Sequence, residues 1–277
     1  MPNIACLNGQ FLPLEEATIS IEDRGFQFGD GVYEVIRVYG GRPFRLESHL
    51  SRLAQSAKAI SLSLPAQIQN LESLISEGLK KCHYSECKVY IQVTRGVAPR
   101  DHLFPGKPLP AFVMTFREMV ELPAAYIEHG VSVITRPDLR WGRCSIKSLN
   151  LLPNVLAKQE ASQANAFEAI LIKDGVVTEG TASNVALMKN GNLVTPALSD
   201  HLLAGVTRQA IIELAKKDGL VVEERTVKEM ELDEADEIFL IGTTIEVVPI
   251  SKLNGKAVGD GVPGRVTQRL RKTFQSL

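Results

Sequence analysis

The strongest constraint on this fold is a set of turn dipeptides that cut the apolar runs into hairpins. Asn8-Gly9 separates Ile4–Leu7 from Gln10–Leu12, and Gly40-Gly41 separates Val32–Tyr39 from a short run through Phe44-Arg45. Asp174-Gly175 divides Ala169–Lys173 from Val176–Thr178, and Asn190-Gly191 divides Val185–Lys189 from Leu193–Thr195. The central residues of a two-residue hairpin turn need positive φ, which Asn, Asp and Gly adopt at least cost. Further apolar runs predict strands at Lys88–Thr94, Ala111–Phe116, Gly130–Thr135 and Glu237–Ile241. Glu47–Ile60 sets Leu50, Leu53, Ala54, Ala57 and Ile60 at helical spacing. Helices are also expected over Gln67–Lys80, Leu151–Ala164, Val206–Lys217 and Arg265–Gln275. Strands and helices mix without regular βαβ alternation, so the expected class is α+β, not a doubly wound sheet. A break at Glu121-Leu122-Pro123 predicts two domains, a smaller one over 1–122 and a larger one over 123–277.

The 277 residues, 44% hydrophobic, suffice for a sizeable core. Lys and Arg number 31 against 32 Asp and Glu, which disfavours a broad nucleic-acid footprint. No stretch approaches the roughly 20 apolar residues of a membrane span. MPNIACLNGQF has neither the basic nor the apolar region of a secretory signal, so a cytoplasmic location is expected. Cys6, Cys82, Cys87 and Cys144 form no CxxC pair, so neither a disulfide framework nor a metal site is expected. Cys82-His83 with Cys87 is the nearest approach to zinc spacing, and those residues fit a helix end and the following strand equally well.

GxSxG, GxxxxGKS/T, GxGxxG and HExxH are all missing, and Gly29-Asp30-Gly31 is too short for a dinucleotide loop. Lys147 lies just before a helix, close in sequence to Arg140 and Arg143. Cationic neighbours and desolvation both disfavour an ammonium, which is how a lysine becomes a nucleophile toward a carbonyl. On spacing alone, a surface lysine in a connecting loop is the favoured reading. Glu179 ends a strand before Gly180 and small polar residues, either facing a cleft or as a solvated turn acid. Gly205-Val206-Thr207 opens a helix whose N–H groups suit an anion, and a plain helix cap accounts for Thr207 as well. Ile241-Gly242-Thr243-Thr244 offers further donors after a strand. Arg100 and His102 lie two apart in a proline-bearing loop, either a carboxylate clamp or a solvated pair. Tyr33 reads as core, and Arg52 as a helix surface charge.

Together these segments resemble the fold-type IV pyridoxal-phosphate enzymes, closest to the D-amino acid aminotransferases. The resemblance rests on Asp23-Arg24-Gly25-Phe26-Gln27-Phe28-Gly29-Asp30-Gly31-Val32-Tyr33-Glu34, Arg100-x-His102, Lys147-Ser148-Leu149-Asn150 and Thr178-Glu179-Gly180. It runs from about Asn8 to the last helix. It implies a two-domain fold with pyridoxal 5′-phosphate at the domain interface and its lysine in the larger domain. Lys147 matches the lysine that bonds the cofactor and moves the proton between substrate Cα and C4′. Glu179 matches the partner of the pyridine nitrogen, and Arg52 a phosphate ligand. Val206, Thr207, Gly242 and Thr243 match the phosphate cup, and Leu203 the side chain on the ring. Tyr33, Arg100 and His102 match the trap for the substrate α-carboxylate, the last two reaching in from the partner of a homodimer. Amino acid and 2-oxo acid substrates follow, with D-alanine or D-glutamate as donor type and 2-oxoglutarate or pyruvate as acceptor. Branched-chain L-amino acid aminotransferases, aminodeoxychorismate lyases and (R)-amine transaminases share the class, and an inactive scaffold is the non-enzyme alternative. Two positions depart from the pattern, Ala182 where close relatives often carry serine and Gly242 where a hydroxyl residue is common.

Overall fold

A computed structural model describes residues 3–277, which form two compact α+β units. The first runs to Val120 and takes in Ile146–Asn150. Strands β1 (Ile4–Leu7) and β2 (Gln10–Pro13) pair with Leu7 opposite Gln10, and Asn8 and Gly9 both have positive φ, as a two-residue turn requires. A short helix, α1 (Arg24–Phe28), starts at Asp23, whose Oδ1 accepts from the Gly25 N–H. It leads into β3 (Gly31–Tyr39), and Gly40-Gly41 turns the chain into β4 (Arg42–Pro43). Helices α2 (Leu46–Ala59) and α3 (Leu71–Cys82) precede β5 (Cys87–Thr94) and β6 (Ala111–Glu118). The sheet is antiparallel throughout, in the order β2-β1-β6-β5-β3-β4.

Strand periodicity places Val32 and Ile36 of β3, Val89, Ile91 and Val93 of β5, and Phe112, Met114 and Phe116 of β6 in one core. Leu53 and Ala57 of α2 and Leu71 and Ile75 of α3 complete it. Each large side chain so buried stabilises by about 1.5–3 kcal/mol before its ordering entropy is counted.

The second unit comprises Glu121–Ser145 and Leu151–Leu277. Its elements begin with α4 (Ala124–Glu128), β7 (Val131–Pro137), α5 (Leu152–Gln163), β8 (Glu168–Lys173) and β9 (Val176–Gly180). Next come β10 (Asn184–Lys189), β11 (Asn192–Pro196), α6 (Val206–Lys217), β12 (Val222–Arg225) and α7 (Met230–Asp233). The unit ends with β13 (Glu237–Gly242), β14 (Glu246–Leu253), β15 (Lys256–Ala257) and α8 (Arg265–Phe274). The sheet order is β12-β11-β10-β13-β14-β7-β8-β9, with β15 added to β14. β11 with β12, β14 with β7 and β7 with β8 are parallel, and the other pairs are antiparallel. Both hairpins expected here form, about Asp174-Gly175 and Asn190-Gly191.

The units divide between Val120 and Glu121, where the sequence suggested a boundary after 122. The larger difference concerns Ile146–Asn150, expected in the 123–277 domain and grouped here with the first unit. Its backbone follows the start of β3: Ser148 bridges Val32, Tyr33 N–H donates to Lys147 O at 3.0 Å, and Leu149 N–H donates to Gly31 O at 3.1 Å. These hydrogen bonds carry the lysine with the smaller sheet. Among the described residues no helix is long and apolar enough to cross a membrane.

Candidate active site

Lys147 is fixed from two sides within the first unit. Besides the contacts with β3, its N–H donates to Ser56 Oγ of α2 at 3.1 Å. Its Nζ lies 4.3 Å from the centre of the Tyr33 ring, and Tyr33 in turn stacks on Tyr90 at 5.7 Å. Burial and the neighbouring Tyr33 push the Tyr90 phenol up to about 12. Lys147 is half-buried, not the exposed loop residue that spacing alone favoured.

On the inward phase of β3, between Val32 and Ile36, stands the fully buried carboxylate of Glu34. Helical spacing on α2 turns His49, Arg52 and Ser56 toward the same region. Arg52 donates Nε to Glu34 Oε1 at 2.6 Å and Nη2 to Oε2 at 2.9 Å, a bidentate pair, and His49 Nδ1 meets Oε2 at 2.9 Å. Burial raises the Glu34 pKa, but hydrogen bonds from His49 and Arg52 and the charges of Arg52 and Lys147 win, holding it at about 2. His49 moves down from its ordinary value: burial dominates, Arg52 and Lys147 add to it, and Glu34 opposes. Burial thus favours the neutral imidazole, whose Nδ1–H would donate to the Glu34 carboxylate, and Nε2 is buried without a hydrogen-bond partner among the described residues. Arg52, expected as a surface charge from its helix alone, is buried in this cluster.

Tyr33, Arg52 and Lys147 are thus brought together, and the sequence reading had not singled out Glu34 or His49. Glu34 had a signal of its own, a charged residue on the apolar phase of an alternating strand. Arg100 and His102 are exposed, both against Phe28.

In the second unit the focus is Glu179, buried at the end of β9 and not a solvated turn acid. Arg140 donates Nη1 to its Oε1, while Leu203 N–H at 3.0 Å and Asn184 Nδ2 at 3.2 Å donate to Oε2. Arg140 is itself held by Asp138, with Nε to Oδ1 at 2.9 Å and Nη2 to Oδ2 at 2.7 Å. Thr178 Oγ1 donates to Asp138 Oδ2 at 2.8 Å. Burial alone would raise the Asp138 pKa, yet Arg140 and Thr178 hold it below its ordinary value. Arg140 was expected among the cations acting on Lys147, but its guanidinium is committed to Asp138 and Glu179, and Arg143 is exposed. The cation whose charge acts on Glu34 and His49 alongside Lys147 is Arg52.

Asn184 also donates to Leu203 O at 2.9 Å and so ties Glu179 to the segment entering α6. That helix starts at Gly205 with no side-chain cap, leaving the N–H groups of its first turn, at buried Val206 and Thr207, for another acceptor. A Cβ on Gly205 would stand 2.0 Å from Asn184 Oδ1, so only glycine permits this approach. Half-buried Gly242 and Thr243 follow at the end of β13, and Gly242 adjoins the β9–β10 loop, where Thr181 Oγ1 is buried without a partner among the described residues. Glu179, Leu203, Val206 and Thr207 are thus linked through Asn184 and one helix start. No group of three His, Cys, Asp or Glu among the described residues is placed to hold a metal ion. Cys82 and Cys87 are buried at the end of α3 and the start of β5.

The chain is 44% identical to the D-alanine aminotransferase of Bacillus licheniformis, over 97% of this chain and 95% of that one. It is 45% identical to the D-alanine aminotransferase of Listeria monocytogenes, over 97% of this chain and 93% of the other. Among solved structures, the branched-chain amino acid aminotransferase of Escherichia coli superposes with a TM-score of 0.93 at 27% identity, covering 100% of this chain and 95% of that one. A branched-chain amino acid aminotransferase solved with pyridoxamine 5′-phosphate, the T.th. enzyme, gives 0.90 at 30% identity, covering 99% and 93%. The family described as Amino-transferase class IV matches residues 31–253, a span that holds Glu34, Lys147 and Glu179 alike. By that match and by these relatives, the chain belongs to the class IV amino-transferases.

Proposed function

We propose that this enzyme transfers amino groups between D-amino acids and 2-oxo acids with pyridoxal 5′-phosphate as cofactor, working as a homodimer in the cytoplasm. The activity for which the Bacillus and Listeria relatives are named supports a donor of D-alanine type. The single observation that carries the handedness is the Arg100-x-His102 pair on the loop between β5 and β6. Enzymes of this class offer the substrate the same cofactor face, so the side on which the carboxylate is held selects the enantiomer.

The residues present suit the cofactor. An uncapped helix start at Val206 and Thr207 suits a phosphate, a fit that the glycine-only approach at Gly205 supports. A buried carboxylate fixed by three donors suits a ring nitrogen that must keep a proton. In this reading Arg52, Val206, Thr207, Gly242 and Thr243 hold the phosphate, Glu179 holds the protonated nitrogen, and Leu203 takes the ring face. When bound, pyridoxal phosphate supplies an aldehyde carbon to receive the amino group and a ring that accepts the electron pair released at Cα. Lys147 would be the residue that holds that carbon in the absence of substrate, and once displaced by the substrate amine its free amine would carry the proton taken from the substrate Cα. Tyr33, with Arg100 and His102 from the partner subunit, holds the substrate α-carboxylate. A second 2-oxo acid, pyruvate or 2-oxoglutarate, reverses these steps and closes a ping-pong cycle.

The test is the visible spectrum of the purified protein before and after adding D-alanine. The expected result is a yellow band that bleaches with D-alanine and not with L-leucine. A band indifferent to D-alanine would remove the D-amino acid assignment. No band after incubation with pyridoxal phosphate would remove the cofactor as well.

A further inference from the structure

The loop that carries Arg100 and His102 has no regular structure, yet it is tied down by groups outside the chemistry described so far. It leaves β5 through Gly96, whose φ is +90° and whose Cβ, if present, would lie 1.8 Å from Leu109 O. The next ties come from two buried arginines that share one carboxylate. Arg24 of α1 donates Nε to Asp30 Oδ2 at 2.8 Å, and Arg95 donates Nε to Oδ2 at 2.8 Å and Nη2 to Oδ1 at 3.0 Å. Arg24 spends its other edge on the loop backbone, donating Nη1 to Asp101 O at 2.5 Å and Leu103 O at 3.2 Å. Those carbonyls flank His102 directly. Arg95 holds the far end of the segment, its guanidinium carbon 3.6 Å from the centre of the Phe104 ring. Arg95 is itself anchored, donating to Ser61 O and Ile60 O at 2.8 Å each. Both arginines are almost wholly buried, whereas Arg100, Asp101, His102, Leu103 and Phe104 are exposed. Buried charge thus fixes an exposed backbone.

We propose that Asp30, acting through Arg24 and Arg95, is a positioning residue for recognition of the substrate carboxylate, because it sets where the loop presents Arg100 and His102. The inference rests on the proposed role of Arg100 and His102 as the carboxylate trap. An exposed loop held in one conformation before binding does not give up its freedom when the substrate arrives, and that saving appears as affinity. The two arginines need a shared anion to sit side by side, and Asp30 supplies it. Arg24 is chosen by geometry as well as charge, since a planar guanidinium serves a carboxylate and two carbonyls at once and an ammonium does not.

Three variants of the full-length, cofactor-loaded enzyme test this: Arg100→Ala, Asp30→Asn and Arg24→Lys. Arg24→Lys keeps the charge beside Asp30 and guards against Asp30→Asn failing to fold. Arg100→Ala is expected to raise KM for D-alanine. Asp30→Asn and Arg24→Lys should each raise it by roughly tenfold, the scale of one charge-assisted hydrogen bond, with a smaller change in kcat. Pyridoxal phosphate titration followed by absorbance should stay at the wild-type midpoint in both. Hydrogen exchange read by mass spectrometry should rise in the peptide covering 99–105 and not in α2. If Arg100→Ala leaves KM unchanged, the carboxylate reading and this inference fall together. If it raises KM while the folded clamp variants keep wild-type KM and exchange, the inference alone is overturned.

Discussion

Each unit buries a carboxylate against an arginine, and the two clusters differ in the charge they leave over. Around Glu34 stand Arg52, Lys147 and a neutral His49, so two cations face one carboxylate. Around Arg140 stand Asp138 and Glu179, two carboxylates against one cation. The first cluster is therefore positive and suits anions, while the second is negative and suits a group that carries a proton. On the proposed function those partners are a phosphate and a substrate carboxylate for one, and a ring nitrogen for the other. An arginine beside a glutamate says little by itself. What decides is the third member, Lys147 in one case and Asp138 in the other.

The largest break in this comparison is Lys147→Ala. Transamination of D-alanine should fall by at least ~10²-fold, the scale of a lost proton-transfer group, and the visible band should be lost or shifted. Activity near wild type would remove Lys147 from the chemistry. Next in size is the contrast between Arg52→Gln and Asp138→Asn. Removing the bidentate guanidinium from fully buried Glu34 should cost about 3–5 kcal/mol in urea unfolding. Asp138→Asn keeps one acceptor oxygen but turns the other into an amide donor facing Arg140, whose charge Glu179 still balances, so it should cost less, about 1–3 kcal/mol. Equal losses would show that the two clusters are not electrostatically distinct.

A smaller effect separates the clusters by pH. His49 is neutral in the fold and faces Glu34, Arg52 and Lys147, whereas the unfolded chain takes up its proton near the ordinary value of 6.5. The folded state binds that proton less readily, so stability should decline as pH falls through 6.5. Glu34 acts lower: its contribution is complete above the ordinary 4.5 and is lost as pH falls toward about 2. Urea midpoints measured from about pH 8 to 5 should therefore fall for the wild type, and His49→Gln should flatten that fall. An equally steep decline in the variant would assign the pH dependence to another group.

Much of the fold was legible because local chemistry decides it. The dipeptides Asn8-Gly9, Gly40-Gly41, Asp174-Gly175 and Asn190-Gly191 all adopt positive φ, and α6 runs from Val206 to Lys217 as its apolar spacing implies. The strand Glu246–Leu253 was not, because Pro249 breaks the usual rule for a central strand and the pairing with β7 is irregular there. Val222–Arg225, with two glutamates and an arginine, carries no strand signature and gains its order from parallel pairing with β11. In the candidate site, Lys147 and Glu179 were singled out through their motifs. Their partners were not, since His49, Asp138 and Asn184 matter only through contacts that tertiary folding makes. The same reason placed Ile146–Asn150 in the wrong domain, because hydrogen bonds to β3 outweigh proximity in sequence.

The smallest effect tests Gly242, where the resemblance leads one to expect a hydroxyl residue. A Cβ on Gly242 would lie 3.2 Å from Ile245 Cγ1 and 3.6 Å from Ala182 O. The nearest atom belongs to a flexible side chain that can yield by a few tenths of an ångström, so Gly242→Ser should fold with a stability change within ~0.5 kcal/mol. If the segment Gly242-Thr243 holds the cofactor phosphate, the added hydroxyl supplies one more donor of about 1 kcal/mol, or roughly fivefold tighter binding in an absorbance titration. The ratio of D-alanine to L-leucine turnover should not move, because on the proposed function handedness is set by the Arg100–His102 loop. A shift in that ratio would place the substrate, not the phosphate, beside Gly242. Unchanged or weaker affinity would mean that backbone N–H groups already satisfy whatever anion binds at the end of β13.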